Sequence, residues 1–509
     1  AEPTRRPRID TMWPFLAYIG WLAVFLLVLF ALLYLWIRPR HVDETVPGPK
    51  RHFLLGVTFG NDFVDGVDFD WPLWPTLSVM MSRKWNFQTW GGPTLNIGFG
   101  GAFFNVVSPK CLEYVLKQNF ENYVKGKLVR SFDELMGQEF SFTTDGENWK
   151  FYRKITVALL NRRTVQYGAT VLSQKLLQLE KAIDEHDGEV FDFQKLAYDL
   201  TIETFVKIGF GLDLNGIGAK NGSPFAEALD ELNLLIHHRF DDFLWEIKQR
   251  FAIGKREQRV RVLTSVIDQF AEEIIQGAKE QVDKDRPDIV SRYMEYCRAQ
   301  NHPLPTSRQL RNFVIGFVFA GRDSTSAAMA WVLLELCRNP NDAARVRREV
   351  EEVSHGQPLT MDMIQKMPFL HACIMESLRL HPPAPENFRF SVKDDILPDG
   401  TRIPAGSLVM YSINTINHSE TVWENPETFR PQRFYQAKEP SPFSFATFNG
   451  GPRTCPGKSL ALMELKMTVA FLLRNYDLED ATLHDGSYHW TTVMSMKGGF
   501  PVKAVRRLS

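Results

Sequence analysis

The residues from Met12 to Ile37 carry no charge and are almost wholly apolar. At a rise of about 1.5 Å per residue, about 20 such residues match the hydrocarbon core of a bilayer, so this run predicts one transmembrane helix. Aromatic side chains mark both ends, Trp13 and Tyr18 on one side and Tyr34 and Trp36 on the other, as membrane interfaces favour. The run is too long for the apolar part of a signal peptide, and no small-residue cleavage site follows it. Arg5, Arg6 and Arg8 precede it while Arg38 and Arg40 follow it, so the flanking charges leave its orientation open. Val46-Pro47-Gly48-Pro49 then reads as a stiff elbow, because proline fixes φ and glycine turns freely. The chain divides into a tail (1–11), a membrane anchor (12–37), a proline-rich linker (38–52) and one large domain (53–509).

With 509 residues, 44% of them hydrophobic, the chain can bury a large core. Lys and Arg total 59 against 60 Asp and Glu, a balance that gives no electrostatic footprint for nucleic acid. The five cysteines, Cys111, Cys297, Cys337, Cys373 and Cys455, are widely spaced and form no C-x-x-C pair. That pattern argues against a disulfide framework or a zinc site and for a reducing compartment. The domain reads as mainly helical with small β-sheets. Asn105 to Asn119 and Arg259 to Asp283 carry apolar residues at helical spacing. The longest helix is predicted from a cap at Thr306 or Ser307 to Cys337, before Asn339-Pro340. Its middle, Phe313 to Phe319, is apolar all round and therefore buried. Another helix begins near Pro368 and must stop before Pro382-Pro383. A strand-rich stretch follows, with turns at Leu397-Pro398-Asp399-Gly400 and Pro404-Ala405-Gly406. A last helix covers Gly457 to Tyr476.

The segment Phe448-Asn449-Gly450-Gly451-Pro452-Arg453-Thr454-Cys455-Pro456-Gly457 resembles the haem-binding signature of the cytochromes P450 at every fixed position. Its physical logic is also readable directly. Paired glycines let the backbone turn tightly beside a flat cofactor. Cys455 sits just before a helix N-terminus, where the dipole and free N–H groups favour a thiolate, and thiolate ligation pushes electron density onto iron. Arg453 is placed to pair with a propionate. Phe448 should pack near the sulfur, and Gly457 closes the motif. Glu376-Ser377-Leu378-Arg379 resembles the family's E-x-x-R, with both side chains on one helix face. Pro431-Gln432-Arg433-Phe434 resembles the segment carrying the third member of that lock, Arg433. The resemblance gives the trio a structural role, holding the loop that presents the cysteine. Trp149 and Arg153 match the family's W-x-x-x-R helix, and Arg389 follows the Glu376 helix where relatives place another propionate-binding arginine.

On the oxygen side, Ala320-Gly321-Arg322-Asp323-Ser324-Thr325 resembles A-G-x-[D/E]-T, with Ser324 at the threonine position and Thr325 next to it. The site needs a hydroxyl that can bond the i−4 carbonyl or a water and open the helix locally. It also needs an acid to supply protons, here Asp323. The resemblance spans nearly the whole chain after the anchor. It implies a monooxygenase with haem b (iron protoporphyrin IX), iron held by Cys455, dioxygen as oxidant, and electrons from NADPH through a flavoprotein reductase. It further implies a single pass through the endoplasmic reticulum membrane, with the domain in the cytosol and membrane lipid as neighbour. Asp395-Ile396-Leu397-Pro398-Asp399-Gly400-Thr401, with Ala-Gly-Arg-Asp, looks most like the fatty-acid ω-hydroxylase group. Phe313, Phe317, Phe319 and Ala320, then Ala384, Pro385 and Phe388, then Val493, Met494 and Met496, are the candidate substrate pocket for a small apolar lipid. Oxidation of a sterol methyl group is the second reading. A haem-thiolate isomerase or dehydratase, and a non-catalytic haem sensor or carrier, are the rivals. Neither needs the acid–hydroxyl pair that this chain keeps.

Overall fold

The computed structural model describes residues 12–37, 42–43, 45–46, 51–52, 56–57, 89–93, 101–219, 223–242, 244–280, 288–490 and 492–507. The tail, most of the linker including Pro47 to Pro49, and residues 58–88 lie outside the described residues. The helices include α1 (Met12–Ile37), α2 (Gly146–Leu159), α3 (Phe193–Phe210), α4 (Pro224–His237), α5 (Gly254–Glu280), α6 (Ser307–Arg338), α7 (Pro368–Leu380) and α8 (Lys458–Asn475). Among the described residues no helix is long and apolar enough to cross a membrane. The described side chains of α1 are nevertheless mostly exposed, Trp21, Phe25, Leu27 and Phe30 among them.

Helix α6 is the axis of the molecule. Thr306 caps it reciprocally: its Oγ1 accepts from the Gln309 N–H at 3.2 Å and its own N–H donates to Gln309 Oε1 at 2.9 Å. Asn339 and Pro340 end it, as proline demands. Phe313 to Phe319 is buried on every side, so burial rather than amphipathicity holds this helix in place. Gly321 lets α3 cross at close range, since an added Cβ would run into the Phe205 ring.

A five-stranded sheet flanks the helical body, with β1 (Trp90–Pro93), β2 (Ala102–Val106), β3 (Tyr123–Val124), β4 (Glu386–Ser391) and β5 (Leu408–Ser412) in the order β1-β2-β5-β4-β3. Strand β5 runs parallel to β2 and antiparallel to β4, with Val409 opposite Arg389. That pairing fixes where Arg389 enters the interior. The helix expected over 105–119 is not one element. Ala102–Val106 is a strand, and Pro109–Glu113 and Tyr114–Gln118 form a short α-helix running into a π-turn. A continuous buried run such as Ala-Phe-Phe-Asn-Val does not discriminate strand from helix by period. Helix α5 begins five residues earlier than expected, at Gly254, and α7 and α8 agree with their sequence limits to within two residues.

Candidate functional site

Cys455 stands one short step before α8, on a loop that the sequence forces to turn sharply. Asn449 and Gly451 both take positive φ, 61° and 67°. Gly451 also passes so near the Leu116 carbonyl oxygen that an added Cβ would collide with it. The Cys455 N–H donates to the Phe448 carbonyl at 2.8 Å, and the Asn449 amide donates to the Arg453 carbonyl at 3.3 Å. The loop is therefore tied to itself before any cofactor is considered. The cysteine is exposed, but what it is exposed to is an internal cavity of about 350 Å³ that it helps to line. Burial pushes the thiol up. The N–H groups of Gly457 and Lys458 and the Arg153 guanidinium pull it back toward thiolate without overcoming burial.

The same cavity has a strongly cationic wall. Arg153, Arg389, Arg453 and Lys125 all line it, and Trp149 lies under Arg453, ring centroid to guanidinium carbon 4.7 Å. One carboxylate faces them: Asp145 pairs with Arg453 at 2.7 Å. Arg153 donates to the Thr454 carbonyl at 2.6 Å. The crowding shows in the titration. Arg453 is pushed down to about 10 by burial and by Arg389, and Lys125 falls well below its ordinary value through burial, Arg389 and Arg453. Arg389 Nε and Nη2 and Arg453 Nε are buried with no hydrogen-bond partner among the described residues. Orphaned guanidinium donors in a buried cation cluster are costly unless an anionic group completes them. A flat, apolar group carrying carboxylates would complete them, and these residues fit haem, whose iron Cys455 would hold. Once bound, haem supplies the iron at which dioxygen is reduced.

Opposite Cys455 the cavity is walled by α6. Ala320, alone in the middle of a buried helix, is exposed, and its exposure is to the cavity. Ser324 Oγ donates to the Ala320 carbonyl at 2.8 Å. The helix stays α-helical through 320–325, so the local opening expected there is not observed; the serine bonds the i−4 carbonyl without displacing a backbone bond. Thr325 Oγ1 is buried with no partner among the described residues. Asp323 is buried beside them and is pushed up to about 6 by burial, with Arg322 opposing. Asp323 Oδ1 accepts from Arg322 at 3.1 Å and Oδ2 from Asn233 at 3.1 Å. Arg322 in turn bonds Asp230 on α4, one contact being 3.0 Å.

Beneath the loop, Glu376 and Arg379 form a fully buried bidentate pair, with both hydrogen bonds 2.9 Å. Arg433 Nε reaches the same Glu376 oxygen at 3.1 Å, and the Arg430 N–H does so at 2.9 Å. The lock connects onward to the cysteine loop. Arg379 donates to the Asn417 carbonyl at 2.7 Å, the Asn417 amide donates to Thr447 Oγ1 at 3.2 Å, and Thr447 donates to the Leu378 carbonyl at 3.0 Å. Thr447 immediately precedes Phe448.

Residues 77–500 match the family model described as Cytochrome P450. The chain belongs to the cytochrome P450 family. It is 30% identical to Cytochrome P450 CYP94D109 from Paris polyphylla over 434 residues, which cover 79% of this chain and 84% of that one. It is 29% identical to Cytochrome P450 704B1 from Arabidopsis thaliana over 454 residues, 79% and 86% of the two chains. The crystal structure of the cytochrome P450DA heme domain superposes with a TM-score of 0.78 at 17% identity, covering 92% of this chain and 99% of that one, which shows a shared fold. The chain is a cytochrome P450 monooxygenase, and the family uses haem, dioxygen and an electron donor.

Within this P450 the cavity gathers Trp149, Arg153, Arg389, Phe448, Arg453, Cys455 and Gly457 with Phe313, Phe317, Ala320, Asp323, Ser324 and Thr325. Phe388 and Met494, expected in the substrate pocket, are not among its lining residues. Phe388 lies between Asn387 and Arg389 on β4, so the period of two turns it to the other face, toward Phe240 and Phe390. Met494 is buried in a hairpin strand; its N–H donates to the Pro383 carbonyl and its carbonyl accepts from the Trp331 indole at 3.0 Å. Thr492 and Val493 line the wall there instead. Lys125, Asp145, Asn233 and Thr492 were missed. Lys125 donates to Asn387 Oδ1 at 2.8 Å and its ammonium sits 4.3 Å from the Phe142 ring centroid. Asn233 holds Asp323. A lysine inside Tyr-Val-Lys-Gly, next to a glycine with positive φ, was the one available hint of the first.

Proposed function

We propose that this P450 inserts one oxygen atom from dioxygen near the end of a long-chain fatty acid. The overall chemistry balances as substrate C–H, dioxygen, two electrons and two protons giving the alcohol and one water. The electrons come from NADPH through a flavoprotein reductase, as the family likeness suggests, and the bound group is haem b. Cys455 carries the iron; Arg389, Arg453, Arg153, Trp149 and Lys125 hold the propionates. Asp323 supplies protons, with Ser324 or Thr325 as the hydroxyl beside it.

The observation that carries the substrate class is the distribution of charge in the cavity. Its cations sit on one wall and its single distal acid is Asp323. The remaining walls, Phe132, Met136, Phe140, Phe313, Phe317 and Phe319, are apolar. Burying apolar surface contributes about 25 cal/mol per Å², so an alkyl chain binds such a surface without polar contacts. Alanine at 320 offers no carboxylate at that position for a covalent link to haem. The domain is proposed to be held at the endoplasmic reticulum membrane, facing the cytosol, by the apolar 12–37 segment. Leu244, Ile247, Phe251 and Ile253, all about half exposed or more beside Lys248 and Arg250, offer a second apolar surface with a cationic rim. Lys150, Lys154, Arg162 and Arg163 are exposed around the haem-side helix and suit an acidic reductase face. The test offers palmitate-like acids and methyl-bearing sterols to the purified protein with reductase and NADPH, and identifies products by mass. Terminal hydroxy acids support the reading. Oxidised sterol methyls with no fatty-acid product overturn it in favour of the sterol alternative.

A further inference from the structure

The acid on the oxygen side is clamped by groups outside its own helix, and the clamp reaches the cavity wall at a second point. Asn233 on α4 is buried, does not line the cavity, and donates from Nδ2 to Asp323 Oδ2 at 3.1 Å. Its Oδ1 accepts from Thr492 Oγ1, also at 3.1 Å. Thr492 and Asp323 both line the cavity. The other Asp323 oxygen is held by Arg322, whose guanidinium is tied to Asp230 on α4 and stacks over the Tyr198 ring of α3 at 4.8 Å. Asp230 and Asn233 are three residues apart and share one helix face. A single turn of α4 therefore governs both carboxyl oxygens.

An amide has one donor end and one acceptor end. While the Thr492 hydroxyl donates to Oδ1, the Nδ2 end must face Asp323, which suits a carboxylate. We propose that Asn233, oriented by Thr492, is a positioning residue for Asp323. The inference rests on the reading of Asp323 as the proton donor.

The test uses the full-length haem-loaded protein with reductase and NADPH. Palmitate is the probe, or a methyl-bearing sterol if that is the lipid turned over. Product and hydrogen peroxide are counted per NADPH consumed. Thr492→Val removes the hydroxyl at nearly constant shape, and Asn233→Leu removes the amide. Thr492→Val should lower product per NADPH about fivefold, the loss of one neutral hydrogen bond, and Asn233→Leu at least about tenfold, the loss of one to a charged group, with peroxide released instead. Thr492→Ser should restore the parental ratio. In the Asp323→Asn background, Asn233→Leu should add no further loss, since it acts through the missing acid. Should Asn233→Leu lose its thiolate-type carbon monoxide spectrum, the Thr492 pair carries the test. If Asp323→Asn uncouples while Thr492→Val and Asn233→Leu do not, or if Asn233→Leu adds a full loss in the Asp323→Asn background, the inference is wrong and the relay reading stands. If Asp323→Asn couples as well as the parent, the relay reading itself fails.

Discussion

Arg379→Ala and Arg433→Ala should differ sharply in cost although both arginines bind the same carboxylate. Glu376 and Arg379 are fully buried and joined by two hydrogen bonds of 2.9 Å. Among the described residues, removing Arg379 leaves the buried Glu376 with Arg433 and the Arg430 N–H, and also orphans the Asn417 carbonyl. Breaking such a buried pair costs about 3–5 kcal/mol. Removing Arg433 leaves the bidentate pair and the Arg430 N–H in place; the loss is its Nε bond to Glu376 and an exposed Nη2 bond to the Asn425 carbonyl, about 1.5–3 kcal/mol. Arg379→Lys should not rescue the first, because an ammonium cannot reproduce the fork. Urea titration of the haem-loaded protein, read from the haem absorbance at unchanged slope, gives both values. Equal losses for the two variants, or a loss under about 1 kcal/mol for Arg379→Ala, would refute the reasoning that the bidentate pair is the foundation of the lock.

Glu464 on α8 is fully buried, lacks a hydrogen-bond partner among the described residues, and is pushed well above the usual carboxylate range by burial alone. Its folded form holds a proton that the unfolded chain releases, so the wild type loses stability as pH rises above the ordinary glutamate value. Glu464→Gln should match the wild type near pH 5 and exceed it in melting temperature near pH 8; parallel curves would contradict this. Lys125→Leu relieves repulsion from Arg389 and Arg453 in the empty protein but removes a cation from the propionates. Transfer of haem to an apoprotein scavenger should accelerate about tenfold, and an unchanged rate would remove Lys125 from the haem site. Deleting the residues before Val46 should shift protein to the soluble fraction with haem retained, and loss of haem loading in that variant would show that the segment belongs to the fold.

What could be read from the sequence was what is encoded locally. The ends of α6 follow from Thr306, Gln309 and Pro340, and those of α7 from Pro368 and Pro382, because caps and prolines act within one turn. The cysteine loop was legible because its turn, its sulfur and its arginine are contiguous. Asn105 and Val106 were misread as helical because they end a strand, Ala102–Val106, that is buried on both faces and leaves no alternation to detect. Phe388 was misplaced for the opposite reason: with Arg389 facing the haem site, the strand period already excluded its neighbour. Lys125 and Asn233 depend on partners at Asn387 and Asp323, far along the chain. No local pattern encodes those meetings; the side chains of α4 that reach α6 and the pairing of β3 with β4 create them.

The reduced protein with carbon monoxide gives the most direct test of Cys455 as the iron ligand. Cys455→Ala should lose the spectrum that thiolate ligation produces, whereas single replacements of Cys111, Cys297, Cys337 and Cys373 should keep it. A Cys455→Ala protein with an unaltered carbon monoxide spectrum would contradict the assignment of the sulfur and, with it, the reading of the cavity as a haem-thiolate site.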